Sequence, residues 1–489
     1  MSSAIKHVIV LMLENRSFDH LLAYSNIPNL IGVDTSKANP DAEGKPVAMS
    51  NDTPDRIESD PGHEFPDVDW QIFGSPPGPA LRPPMMNGFA SKGWPEAMAC
   101  AKPALVPVLT HLAREFLVCD QWFSSMPGRT WPNRFFVHAG SAGGLANSPS
   151  SLVDIESQVW SELGFSFQYG TLFDALSAAG RTWRVYHGDL FPQVCAIDTM
   201  PSVFVASPDV FRRTQVFATD MLRGDVADYT FIEPDYNILS SFRNGDSQHP
   251  CGTLSAGEQL ISTVANAVIS SPAWQSSMLI ILYDEHGGFY DQMPPPAGVT
   301  PPNDDARNAG KAADPPDRPF KFDRLGVRIP AVVVSPWVTA GVSHLVYDHT
   351  SVIRTVFRVF GLPGQLTARD GQAASLDTLV ESSMRTRTPA PLPPPNEPPP
   401  DPFALTTPRY VRTLDAFARI AAQIHHSLRT YKAGMRPQDL RAAINPTDDF
   451  STLPGLPKTR DPAEARAYIE EVAALVASHR RQQRAGRTP

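Results

Sequence analysis

Six apolar residues, Met278-Leu-Ile-Ile-Leu-Tyr283, run directly into the polar sequence Asp284-Glu285-His286-Gly287-Gly288, and this transition predicts the architecture of the chain. Short uninterrupted apolar runs are typical of strands that are buried on both faces, as in a parallel sheet. A second such run, His7-Val-Ile-Val-Leu-Met-Leu13, ends at Glu14-Asn15. Because open α/β sheets bind ligands at the carboxyl ends of their strands, we expect both strand ends to meet in one site.

Further apolar runs alternate with helical patterns along most of the chain. Strands are predicted over residues 183–186, 229–232 and 328–334, and helices over 171–180, 255–269 and 348–360. In the second of these helices, Ser255 is predicted as the N-cap, with Glu258 completing a capping box. The alternation predicts an α/β fold, a three-layer sandwich in which a mostly parallel central sheet lies between helices.

Proline, with 50 residues, divides the chain into regions of different character. Residues 35–90 are rich in Pro, Asp, Asn and Gly and are predicted to form an irregular excursion over the surface. Residues 294–320 contain three proline clusters and are predicted to form a long loop beside Asp284, since long loops in compact domains are often functional.

Three regions are predicted from the same composition. Residues 1–365 form the catalytic α/β domain, and residues 366–407 form a proline-rich linker. Residues 408–489 form a helical C-terminal region, with helices over 408–428 and 461–480, begun by prolines at first-turn positions.

The formal net charge of −9 argues against a nucleic-acid partner, which would require a basic face. Anionic phosphate esters remain compatible with this charge, because a metal ion supplies local positive charge. The four cysteines show no metal-binding spacing and are predicted to be separate thiols, with one disulfide as the alternative.

The residues before the first strand contain no signal-peptide pattern, and no apolar run is long enough for a transmembrane segment. We therefore expect a cytoplasmic protein, or a periplasmic or secreted bacterial one if an export signal has been removed.

The two polar pairs that follow the buried strands are candidate metal ligands. Glu14-Asn15 and Asp284-Glu285 offer carboxylate and amide oxygens, which suit one hard divalent ion such as Ca²⁺, Mg²⁺ or Mn²⁺, with Zn²⁺ as an alternative. Either pair alone is more often a helix cap or a surface turn. Two such pairs after two buried strands favour the metal site.

The segment Ser125-Met-Pro-Gly-Arg-Thr-Trp-Pro-Asn-Arg134 offers a candidate nucleophile. Pro132 suits the first turn of a helix. Thr130 then lies just ahead of the helix N-terminus, where free N–H groups favour an anion. A hydroxyl beside a metal can attack phosphorus, and Asn133 or Arg134 could hold phosphoryl oxygens. The alternative is that Thr130 is an ordinary N-cap.

Four histidines lie at predicted strand ends or in turn-rich loops, where sites form. They could donate to a phosphoryl oxygen or protonate a leaving alkoxide near neutral pH. These residues are His63, His187, His249 and His349.

Five motifs in order resemble the bacterial phosphoesterase family, which contains the non-haemolytic phospholipases C and related acid phosphatases. They are Glu14-Asn-Arg-Ser-Phe-Asp-His20, Met126-Pro-Gly-Arg-Thr-Trp-Pro-Asn-Arg134, His249-Pro250, Tyr283-Asp-Glu-His-Gly-Gly-Phe-Tyr-Asp291 and Gly326-Val-Arg-Ile-Pro-Ala-Val-Val-Val-Ser-Pro336. The resemblance runs from about residue 4 to about residue 362. It implies a fold similar to alkaline phosphatase and a covalent phospho-enzyme route.

The resemblance also implies residue roles. The metal would be bound by Glu14, Asn15, Asp284 and Glu285. Thr130 would be the nucleophile and a further metal ligand. Trp131 departs from the family pattern, in which many relatives carry a smaller or polar residue here, so its indole would cover part of the substrate pocket. The phosphoryl group would be surrounded by His63, His187 and His249.

We therefore expect a metal-dependent phosphoric ester hydrolase of phospholipase C type, which acts on an ester such as a phospholipid through a phosphothreonine. An acid phosphatase that takes monoesters is the main alternative. Two weaker alternatives are a sulfatase, because Ser125-Met-Pro-Gly-Arg129 fits a short sulfatase pattern, and a non-catalytic binding module.

Overall fold

A computed structural model describes residues 4–74, 83–148, 164–240, 242–309, 320–401, 412–432, 434–443 and 462–485. Its strands are β1 (His7–Leu13), β2 (Ala38–Pro40), β3 (Pro46–Ala48), β4 (Leu117–Cys119), β5 (Trp183–His187), β6 (Phe211–Arg213), β7 (Tyr229–Glu233), β8 (Ser277–Tyr283), β9 (Ala331–Val334) and β10 (Gly341–Ser343). Eight of them form one sheet in the order β10-β4-β9-β8-β1-β7-β5-β6.

Helices surround this sheet. They are α1 (Phe18–Leu22), α2 (Phe65–Phe73), α3 (Pro107–Glu115), α4 (Thr130–Ala139), α5 (Leu172–Ala178), α6 (Met200–Ala206), α7 (Phe217–Leu222), α8 (Leu254–Ile269), α9 (Thr350–Phe360), α10 (Ala368–Gln372), α11 (Arg412–Thr430), α12 (Pro437–Ala443) and α13 (Pro462–Ala485). The predicted mostly parallel sheet among helices, followed by C-terminal helices, is confirmed.

The centre of the sheet is the parallel pair β1 and β8. Every residue of β8 is buried, and β1 is buried from Val8 onward, so each large aliphatic side chain contributes about 1.5–3 kcal/mol of burial free energy. The register pairs His7 with Ser277 and Leu13 with Tyr283. Both strands therefore end at the same edge of the sheet.

The predicted strand over 328–334 differs from the structure in length and direction. The strand β9 begins at Ala331, after Pro330, and runs antiparallel to both β8 and β4. The short strand β4 was not predicted, because three residues after a helix carry too little periodicity to stand out.

The predicted N-cap of α8 was wrong. The cap is Thr253, whose side chain accepts a hydrogen bond from the backbone N–H of Ala256. Glu258 is not part of a capping box. Its buried carboxylate instead accepts hydrogen bonds from the backbone N–H groups of Val108 (2.5 Å) and Leu109 (3.2 Å), at the start of α3. Ser255 and Thr253 are both good N-cap residues by type, so sequence alone could not separate them.

Residues 35–90 are more ordered than predicted. The described part of this range contains the antiparallel hairpin of β2 and β3 and the helix α2. Its apolar side chains build a second, smaller core, which includes Val68, Ile72 and Phe89. The expectation of an irregular excursion was therefore wrong for this region.

The proline-rich segment lies against the α/β domain. Asn396 donates to the backbone carbonyl of Ala104 (2.8 Å), and Arg243 bonds to Asp401 (3.0 Å). In the C-terminal region, Phe417 of α11 packs against Tyr236 with ring centroids 6.1 Å apart. Residues 408–411, where the first C-terminal helix is predicted to begin, lie outside the described residues, and the two boundaries between the three regions stay predictions.

The four cysteines, all of them described, are free thiols, as predicted. None of the helices in the described ranges is both long enough and apolar enough to cross a membrane.

Replacing Glu258 with alanine is expected to lower the free energy of unfolding by about 2 kcal/mol, because two buried N–H groups lose their acceptor. Burial raises the pKa of Glu258 to about 8. Glu258→Gln should cost less than Glu258→Ala, because the amide oxygen can still accept from these N–H groups. Urea denaturation measures both variants. The control is Glu470→Ala, which breaks the exposed Arg466–Glu470 pair (2.9 Å) and should cost about 0.5 kcal/mol or less. Equal midpoints for Glu258→Ala and wild type would contradict this role.

Candidate active site

The two loops that follow β1 and β8 are tied together by backbone contacts. The backbone N–H of Asn15 donates to Asp284 Oδ1 (3.0 Å), and that of Arg16 donates to the Glu285 carbonyl (3.1 Å). Asn15 takes a positive φ of 58°, which asparagine tolerates. A Cβ on Gly287 would lie 2.2 Å from the Asn15 carbonyl oxygen, so only glycine fits there. The predicted convergence of the two strand ends is present in the structure.

Arg134 joins helix α4 to these strand ends. Its Nε donates to Asp284 Oδ2 (3.1 Å), and its Nη2 lies 3.9 Å from Glu14 Oε1. The same Nη2 donates to the backbone carbonyls of Met12 (3.4 Å) and Leu13 (3.3 Å). Arg134 is fully buried, and these contacts hold it against the carboxylates; the substrate contact expected from the sequence stays a prediction.

Thr130 is the first residue of α4, and Arg129 is the N-cap. The structure thus places Thr130 one position later than predicted, and Thr130 is not the cap. Its hydroxyl donates a long hydrogen bond to the side-chain oxygen of Asn15 (3.5 Å). The predicted nucleophile therefore reaches the predicted metal ligands.

Asn133 fixes the loop that precedes Thr130. Its Oδ1 accepts from the Met126 N–H (3.1 Å), and its Nδ2 donates to the carbonyls of Gly128 (3.0 Å) and Arg129 (3.1 Å). Within the described residues, its amide is occupied by backbone groups, and a contact with substrate is not needed to explain it.

Two buried carboxylate oxygens, Glu14 Oε2 and Glu285 Oε1, have no hydrogen-bond partner among the described residues. Burial raises the pKa of Glu14 to about 8, an effect that Arg134 partly opposes, and burial raises that of Glu285 well above its usual range. Buried carboxylates are costly unless they are paired with a cation. The unpartnered oxygens, beside the amide of Asn15 and the carboxylate of Asp284, therefore fit a hard divalent cation.

His63 and His249 flank this set of oxygens. His63 Nε2 lies 3.3 Å from Asn15 Nδ2 and 3.8 Å from Glu285 Oε1, while its Nδ1 bonds to the Pro61 carbonyl (2.7 Å). The ring of His249 stacks on Phe242, with centroids 3.6 Å apart. The structure thus places one predicted histidine directly against the ligands.

Asp60 is a site residue that the sequence analysis missed. Its Oδ1 lies 3.7 Å from His63 Nδ1 and 3.9 Å from His249 Nε2. Within the described ranges, these three residues form the one group of His, Cys, Asp or Glu donors whose ligand atoms all lie within 4.8 Å of one another. Glu14, Asp284 and Glu285 do not form such a group. The signal was present in the motif Asp60-Pro-Gly-His63, which joins both residues in one turn.

Both histidines are neutral near pH 7. Burial lowers the pKa of His249 to about 4, although the negative charge of Asp60 opposes this. Burial also lowers the pKa of His63, and the charge of Arg129 lowers it further. Burial would raise the pKa of Asp60, but the charges of His63, His249 and Arg129 outweigh this and lower it. The pocket therefore offers neutral imidazoles beside an ionised carboxylate.

The remaining predicted residues are His349, Trp131 and His187. His349 is buried, its Nε2 donates to the Asp284 carbonyl (2.6 Å), and its backbone N–H donates to Ser125 Oγ (3.1 Å). The substrate contact expected for His349 stays a prediction. The Oγ of Ser125, the residue on which the sulfatase alternative rests, accepts the hydrogen bond from His349.

The described contacts of Trp131 and His187 are with residues that are not among the predicted site residues. The indole of Trp131 is buried against Phe135 and Phe165, with centroids 6.1 and 5.8 Å away. His187 ends β5, two strands from β1, and its Nδ1 contacts the Asp189 carbonyl (2.8 Å). Its role beside the phosphoryl group stays a prediction.

Comparison with known proteins agrees with the motifs. A model of the Phosphoesterase family matches residues 5–363. Non-specific phospholipase C3 of Arabidopsis thaliana is 35% identical over 425 residues, which cover 80% of this chain and 76% of the relative. Non-hemolytic phospholipase C of Pseudomonas aeruginosa is 27% identical over 395 residues, which cover 73% of this chain and 54% of the relative.

Among solved structures, a protein in the alkaline phosphatase superfamily from Vibrio parahaemolyticus has a TM-score of 0.30 and 13% identity, over 72% of this chain and 76% of that one. This likeness is too distant to bear on function. The family match and the identity to the plant relative do bear on it: the chain belongs to the Phosphoesterase family and is a hydrolase that acts on phosphoric ester bonds.

Proposed function

We propose that this chain is a metal-dependent hydrolase of phospholipase C type that uses Thr130 as its nucleophile. The observation that carries the proposal is the contact between the Thr130 hydroxyl and Asn15 (3.5 Å), at the point where the carboxylates of two strand ends meet. Both relatives compared above are named phospholipase C, and these names favour a phosphodiester of a lipid as the substrate.

Five residues would hold one divalent cation: Glu14, Asn15, Thr130, Asp284 and Glu285. Their oxygen donors favour Ca²⁺, Mg²⁺ or Mn²⁺, with Zn²⁺ as the alternative. When bound, such a cation lowers the pKa of a hydroxyl and polarises a phosphoryl oxygen.

Thr130 Oγ1 attacks phosphorus in line with the leaving oxygen. The new bond joins Thr130 to phosphorus, the bond to the leaving alcohol breaks, and the proton of the Thr130 hydroxyl passes to that alcohol. Water then attacks the phosphorus from the opposite side, the bond to Thr130 Oγ1 breaks, and a proton of the water passes to Thr130 as the phosphorylated headgroup leaves. The positive end of the α4 helix dipole, where Thr130 lies, would stabilise the charge on the phosphoryl oxygens during both steps.

His63 and His249 each donate Nδ1–H to a backbone carbonyl, of Pro61 (2.7 Å) and Pro250 (2.6 Å), so Nε2 of each neutral ring is an acceptor. His63 lies against Glu285 and Asn15, so it would hold these two residues beside the phosphoryl group. His249 Nε2, which faces Asp60, would accept the proton that the Thr130 hydroxyl releases and return it to the leaving alcohol.

Replacing Thr130 with alanine is expected to reduce turnover by about 10³-fold or more, because no hydroxyl remains to form the intermediate. Acid quenching of the wild type during turnover, followed by mass spectrometry, should detect phosphothreonine at this position. The matched control is Thr263→Ala, which removes an exposed helical hydroxyl bonded to the Gln259 carbonyl. Turnover within about threefold of wild type in Thr130→Ala would reject the proposed nucleophile.

The substrate class is tested with two chromogenic compounds, p-nitrophenyl phosphorylcholine and p-nitrophenyl phosphate. A phospholipase C should hydrolyse the diester with the higher kcat/KM. Turnover of the monoester alone would favour the acid phosphatase alternative.

The cation-free protein should lose stability as the pH rises. The pKa of Glu14 is raised to about 8 in the folded state, above its unfolded value of about 4.5, so its contribution is full below about pH 4.5 and is lost as the pH rises through about 8. Thermal unfolding after EDTA treatment measures this trend, and a saturating divalent cation should reverse it.

The matching variants are Glu14→Gln and, as the exposed control, Glu43→Gln. Glu14→Gln should flatten the pH trend and reduce the rise in Tm that the cation causes, whereas Glu43→Gln should change neither. An undiminished cation effect in Glu14→Gln would remove Glu14 from the ligand set.

A further inference from the structure

Arg129 connects the nucleophile helix to the loop that carries the site histidines. Its backbone forms the N-cap of α4, directly before Thr130, and its carbonyl accepts a hydrogen bond from Asn133 Nδ2 (3.1 Å). Its guanidinium lies 3.4 Å from Glu64 Oε1, next to His63 on the opposite loop. The side chain therefore bridges the loop that precedes α4 and the loop that carries His63.

The guanidinium is close enough to act on the groups inside the pocket. Burial lowers the pKa of His63, and the charge of Arg129 lowers it further; burial raises that of Glu285, and Arg129 opposes the rise. The same charge acts on Asp60 and His249. Arg129 directly precedes Thr130, and its guanidinium is paired with the neighbour of His63, so it carries its charge close to the proposed position of the phosphoryl group.

Arg129 and Arg134 differ in what they can bind. Arg134 is buried against Asp284 and Glu14, so it cannot leave them without exposing buried charge. The side chain of Arg129 is 17% exposed and that of Glu64 is 23% exposed, so their ion pair is held partly in solvent. Partly exposed pairs are weak, whereas arginine binds phosphate oxygens with two parallel hydrogen bonds.

We propose that Arg129 binds the phosphoryl oxygens of the substrate beside Thr130, and that Glu64 holds the guanidinium in place and gives it up when the phosphate enters. Glu64 then competes with the substrate phosphate for the guanidinium of Arg129. This inference rests on the proposed function, because it places the phosphoryl group at Thr130.

Substitutions at Arg129 and at Glu64 are predicted to change orthophosphate binding in different ways. A purely structural ion pair would show the same change for both. Arg129→Ala should weaken binding of orthophosphate to the cation-loaded enzyme by about 10- to 100-fold, as expected for hydrogen bonds from a charged donor. Glu64→Gln should keep or tighten this binding, because the competing carboxylate is gone. Arg129→Lys should fall between Arg129→Ala and wild type.

The dissociation constant of orthophosphate is measured by titration calorimetry, with Tm as the readout for folding. The matched control is Arg181→Ala, which breaks the pair Arg181–Asp228, also 3.4 Å long, at the opposite edge of the sheet. This variant should bind orthophosphate as the wild type does.

The inference is overturned if Arg129→Ala binds orthophosphate as tightly as wild type, or if Glu64→Gln weakens binding as much as Arg129→Ala does. The same titrations in a Thr130→Ala background separate this failure from failure of the proposed function. Full turnover in Thr130→Ala would reject the nucleophile. Equal phosphate binding in Thr130→Ala and in Arg129→Ala/Thr130→Ala would reject only the role of Arg129.

Discussion

The parallel pairing of β1 with β8 is the constraint on which the site depends. Because Leu13 lies opposite Tyr283, the residues that follow, Glu14 and Asp284, leave the sheet at one buried edge. Arg134 lies in α4 and contacts both Glu14 and Asp284, so the start of α4, with Thr130, is held beside them. One guanidinium does not balance the carboxylates collected there, and two of their oxygens remain unpartnered among the described residues. The excess negative charge is the physical reason to expect a cation.

Much of this arrangement follows from the sequence, because its signals are local and strong. Uninterrupted apolar runs identify the buried central strands, and parallel strands place their carboxyl ends together. The direction of β9 could not be read in the same way, since a buried antiparallel strand among parallel neighbours has the same apolar composition. The cap of α8 was missed because Thr253 and Ser255 are equally good by type.

Two of the contacts that the sequence analysis did not anticipate join residues far apart in the chain. Arg134 meets Asp284 from 150 positions away, and Glu258 meets Leu109 from 149 positions away. Asn133 is a plausible phosphate ligand by type, but its amide is occupied by the loop that it shapes. Asp60 was missed because its motif, Asp60-Pro-Gly-His63, shows the approach of His63 only and gives no sign that His249 also lies near it.

Anomalous scattering from a crystal grown with a divalent metal and soaked with orthovanadate tests the central claim most directly. The account predicts one metal peak within coordination distance of oxygens from Glu14, Asp284 and Thr130, with vanadium bonded to Thr130 Oγ1. A metal peak at Asp60, His63 and His249 alone, with vanadium away from Thr130, would contradict it.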